Sequence, residues 1–138
     1  MRFGRYTFNE LWLGLALLGG VACSSGAVEP PPTVVASESG ALRVELSSPD
    51  GIARGLNRFQ FEVLEAADES PATELEFRMQ PFMPAMGHGS GGEPEVRSIE
   101  AGRYEFSSVL LNMAGRWQLR TTISGARSDY VVFDVDVP

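Results

Sequence analysis

MAGRWQLRTTISGARSDYVVFDVDV, residues 113–137, decides how the chain folds. Trp117, Leu119, Thr121 and Ile123 recur at every second position, as do Val131, Phe133, Val135 and Val137. Side chains alternate between the two faces of a strand, so this period marks strands with one buried face. A turn over Asn112 to Gly115 precedes the first run, and Gly125 lies between the two.

The same period extends toward the amino terminus. Leu42, Val44 and Leu46 alternate with Arg43 and Glu45, and after Pro49-Asp50-Gly51 so do Phe59, Phe61 and Val63 with Gln60 and Glu62. Leu75, Phe77 and Met79 define another strand, Val96 to Glu100 a weaker one, and Tyr104 and Phe106 open one running to Leu111. Outside the amino-terminal segment no window offers a long apolar stripe of helical period. Seven short strands with Pro and Gly turns predict an all-β, seven-stranded, immunoglobulin-like antiparallel β-sandwich over residues 41–138. Gly102-Arg103-Tyr104 resembles the turn before a tyrosine corner, in which the phenol bonds back to nearby backbone.

Residues 1–22 read as a bacterial lipoprotein signal peptide. Arg2 and Arg5 precede a short apolar run, Leu11 to Leu18, and Gly20-Val21-Ala22-Cys23 resembles a lipobox with Gly in place of the usual Leu. Cys23 is then the lipidated first residue of the mature chain. Residues 23–40 read as a flexible Pro/Ser/Gly linker. This predicts a membrane-anchored lipoprotein of the bacterial cell envelope, facing the periplasm or the cell surface.

Composition narrows the function. The chain has 138 residues and a formal charge of −7, which disfavours nucleic acid as a partner because phosphate needs a basic patch. One Cys and one His exclude an intrachain disulfide and a zinc site built from Cys and His. All the basic residues are Arg, so there is no amine for Schiff-base chemistry. His88 would be the sole imidazole of any hydrolase triad. Ser90 lies too near it along a Gly-rich loop, and there is no GxSxG elbow. The expectation is a protein that is not an enzyme.

One segment carries metal-binding chemistry. PFMPAMGHGSGGEP, residues 81–94, holds three Pro and four Gly and shows no strand pattern, so it reads as a loop. Within it lie Met83, Met86 and His88. Thioethers are soft and neutral; with an imidazole they suit Cu(I) better than zinc, magnesium or calcium. Met113, in the turn before Trp117, adds a sulfur if both loops lie at one end of the sandwich. Alternatively the loop is a structural cap on a protein-interaction module, with methionine filling gaps.

Met-Pro-Ala-Met-Gly-His at 83–88, Gly102-Arg103-Tyr104-Glu105 and Met113-Ala114-Gly115-Arg116-Trp117-Gln118-Leu119 together resemble the YtkA-like domain family, secreted β-sandwich domains related to FixH. The likeness spans about residues 41–137. It implies copper handling or delivery, with copper-transport or cytochrome-oxidase assembly proteins as partners. It also implies Met83, Met86 and His88 as metal contacts, with Met113 beside them.

Overall fold

The computed structural model describes residues 31–138. The signal peptide and Cys23 lie outside the described residues. Nine strands run in chain order: β1 Thr33–Ala36, β2 Leu42–Ser47, β3 Gly55–Glu65, β4 Leu75–Met83, β5 His88–Gly89, β6 Glu95–Glu100, β7 Arg103–Leu111, β8 Gly115–Gly125 and β9 Asp129–Val137. They form two antiparallel sheets, one ordered β1-β2-β3-β7-β6 and the other β5-β4-β8-β9.

Without β1 and β5, the first sheet reads A-B-E-D in immunoglobulin lettering and the second C-F-G, the constant-type order. The seven strands expected from alternation are all present, and two more join them. Thr33–Ala36, which the sequence assigns to the linker, pairs with β2 from Thr33↔Leu46 to Ala36↔Arg43. This corrects the linker boundary: ordered pairing begins at residue 33. Thr33-Val34-Val35 is rich in β-branched residues, which favour strands, yet an edge strand with three of four residues exposed shows no alternation. The second addition, β5, comes from the Gly-rich loop.

The inner faces follow the period-two reading. Trp117, Phe59, Phe61, Phe106 and Phe133 are fully buried, with Leu42, Val44 and Val63 around them. Phe61 lies 4.5 Å from Phe106 and, across to the second sheet, 5.2 Å from Phe133, ring centre to ring centre. Such aromatic pairs add to the stabilisation of area burial alone. In β7 the period breaks. Asn57 faces Val109 and Phe59 faces Phe106, so Arg58 opposes both Ser107 and Ser108. Ser108 takes φ 58°, the left-handed region, and the resulting bulge lets Val109 and Leu111 regain the inner face.

Tyr104 is buried, but it does not make a tyrosine corner. Its hydroxyl donates to the Ala72 carbonyl at 2.9 Å, 32 residues away, and so pins β7 to the connection between β3 and β4. Burial raises the phenol's pKa.

At one edge the sheets are latched together. The Ser39 amide donates to Asp129 Oδ1 at 3.1 Å, and the Glu38 amide donates to the Tyr130 carbonyl at 2.8 Å. Just before β1, Pro31 lines a cleft with Phe59 and Asp136, and Asp136 pairs in register with Arg116 near the start of β8. The chain therefore enters the domain from the end where β4 finishes and β8 begins.

Candidate metal centre

Residues 81–94 are more ordered than a plain loop. The first sheet-forming run continues through Pro81 to Met83, so β4 absorbs the start of the segment. Pro81 is tolerated because the strand there is nearly an edge, bordered only by a two-residue β5. A turn follows, in which the Met86 and Gly87 amides both donate to the Met83 carbonyl, at 3.1 and 3.0 Å. His88 then pairs in register with Met83, and Gly89 with Phe82. Gly89 is needed for this approach, since a Cβ there would stand 2.8 Å from the Pro81 carbonyl oxygen.

Met83 and His88 are thus cross-strand neighbours, with Met86 on the turn between them. Met83 is 5% exposed and belongs to the core. Its terminal methyl packs where Gly115 has no side chain: a Cβ on Gly115 would lie 2.9 Å from Met83 Cε. That contact puts the β4–β5 turn and the β7–β8 turn at one end of the sandwich, the condition under which Met113 joins the group. Met113 is itself held by its backbone, whose carbonyl accepts the Trp117 indole N–H at 2.9 Å.

Among the described residues, the exposed large apolar side chains are Val34, Leu56, Met86 and Met113. Two of these four are thioethers at the same end as the one imidazole. The His88 ring is exposed, with Nδ1 3.0 Å from the Gly89 carbonyl oxygen. A carbonyl can only accept, so Nδ1 carries a proton, and in the neutral ring Nε2 then holds the lone pair. A backbone carbonyl that orients the imidazole in this way is usual for metal-ligating histidines. The donor set fits a soft monovalent cation. No group of three or more His, Cys, Asp or Glu that could hold a metal occurs among the described residues.

Two parts of this end escape the sequence reading. Gly115 looks like an ordinary turn glycine, although it seats Met83. On the outer face, Arg120 lies 3.7 Å over the ring of Phe82. The outward positions of the same alternation carry that pair, but pattern alone gives no reason to join them.

Strand order and buried faces define an immunoglobulin-like β-sandwich with a methionine- and histidine-bearing turn at one end. More particularly, the chain belongs to the YtkA-like family, whose model matches residues 36–122, from the last residue of β1 into β8. No curated protein and no solved structure matches the chain.

Proposed function

We propose that this is a lipid-anchored copper-binding domain of the bacterial cell envelope, taking Cu(I) through Met86, His88 and Met113 with the sulfur of Met83 behind them. The observation that carries this reading is the exposed imidazole of His88 at the same end of the sandwich as two exposed thioethers. Met86 is half exposed and adds little to the core, and Met113 stands about one third exposed at the same end. Membership of the YtkA-like family is consistent with handling or delivering copper to transport or cytochrome-oxidase assembly proteins. The role is binding rather than catalysis. For Met83 alone the structural-cap reading has direct support, because that side chain is buried.

The test is a Cu(I) titration against a competing chelator. Met86→Leu and His88→Gln alter exposed positions, so both variants should fold normally. Each should lose at least tenfold in affinity, and the double variant more. Wild type should prefer Cu(I) to Zn(II). Affinity should fall with pH as protons compete for the imidazole nitrogen, yet persist because thioethers do not titrate in that range. Equal Cu(I) affinity in wild type and the double variant would refute the site. Anchoring is tested separately: the wild-type mature chain should carry acyl groups on Cys23 by mass spectrometry, and Cys23→Ala should carry none.

A further inference from the structure

The outer face of the second sheet holds a cavity of about 310 Å³ lined by Gln80, Phe82 and Arg120 with Pro81, Gly89, Gly91 and Gly92. That volume lies at the lower end of small-ligand pockets. Its one cation is unusually well fixed. The Arg120 guanidinium carbon lies 3.7 Å over the Phe82 ring, while Nε and Nη2 donate to Gln118 Oε1 at 3.1 and 2.8 Å. Nη1 takes no part in these bonds.

Neighbouring cations on this face are neutralised: Arg78 pairs with Glu93 and Arg116 with Asp136, each at 3.5 Å. Arg120 lies between them and has no ion pair among the described residues. An unpaired, half-buried guanidinium in a chain of net charge −7 is a positive spot in a negative surround. Stacking and the Gln118 bonds have already removed much of the entropy that an arginine loses on binding.

We infer that this cavity binds a monocarboxylate with an apolar body, the carboxylate on Arg120 and the body beside Phe82. One guanidinium balances one negative charge, and its planar fork matches a planar carboxylate. A dianionic phosphate would leave a charge uncompensated beside an acidic protein. Gly91 and Gly92 leave the mouth open, since a Cβ at either would meet nothing within 4 Å. The carboxylate is that of a free small molecule or of a peptide's carboxyl terminus. This inference does not depend on copper.

The test is a titration of the protein with N-acetylleucine, with N-acetylleucinamide as the uncharged control, followed by NMR shifts of the Gly89, Gly91 and Gly92 amides. The acid should bind at least tenfold tighter than the amide, and added NaCl should weaken it. Arg120→Gln should reduce the acid to the level of the amide. Arg120→Lys keeps the charge and loses the fork, so it should fall between; it also serves if the Gln variant is destabilised by losing its stack on Phe82. Equal binding of acid and amide, no binding of either, or full affinity in both variants would overturn the inference. A hexapeptide ending in leucine, compared with N-acetylleucine, separates the sources: tighter peptide binding assigns a partner's terminus, and equal binding a free carboxylate.

Discussion

Trp117 does two jobs with one side chain. Its ring is fully buried, and its N–H satisfies the Met113 carbonyl, so the core residue also shapes the turn that presents Met113. Truncating a large buried aromatic costs about 3–5 kcal/mol, close to the low end of the total stability of a small domain, about 5–15 kcal/mol. Trp117→Ala should therefore be largely unfolded by circular dichroism at 37 °C. Tyr104→Phe removes one buried hydrogen bond and orphans the Ala72 carbonyl, at a cost of about 1–3 kcal/mol. Its chemical denaturation midpoint should fall without a change in slope. Both residues are legible in the sequence as aromatics on the inner period. The partner of the Tyr104 hydroxyl is not, because a bond across 32 residues depends on how β3 and β4 are joined.

At the level of elements, the bulge in β7 explains how one strand serves two registers. Tyr104 and Phe106 face inward, and without the extra residue Val109 and Leu111 would point to solvent. Ser108 carries the left-handed φ for this, a conformation that costs an L-residue roughly 1–2 kcal/mol. Glycine escapes that penalty but loses more entropy on folding. Ser108→Gly should therefore gain about 0.5–1 kcal/mol, raising Tm by a few degrees in calorimetry. Ser108→Val should lower it, since branching disfavours that φ. The alternation reveals both halves of β7 but not the step between them, which takes a single unremarkable serine. The methionine turn is a similar case. Pro and Gly hide the end of β4 and the two residues of β5, and only pairing with β4 shows that Met83 and His88 are neighbours.

Across the whole molecule, the immunoglobulin-like order was readable because every central strand has one wet and one dry face. Edges were harder. The strand β1 gains its place from pairing rather than pattern, and the latch at Asp129 joins groups ninety residues apart. Burial pushes the Asp129 carboxyl up, but hydrogen bonds from Ser39, Ser37 and the Tyr130 amide outweigh it and hold the pKa at about 2. An unfolded Asp titrates near 3.9. The folded state thus binds fewer protons between those values, and stability is present above pH ~4 and lost as pH falls toward 2. Allowing for partial exposure, the effect is about 1–2 kcal/mol. Asp129→Asn should be less stable than wild type at pH 7, and the gap should close in urea melts near pH 2.

The place where the chain enters sets a standoff height. Eight peptide units separate Cys23 from Pro31, and fully stretched they span at most about 28 Å. Pro31 lies toward the end that carries the methionine turn. With Cys23 acylated, that end hangs over the lipid headgroups on a leash shorter than a small domain's diameter of about 30 Å. If that end takes copper as proposed, a partner rooted in the same bilayer stands within its reach.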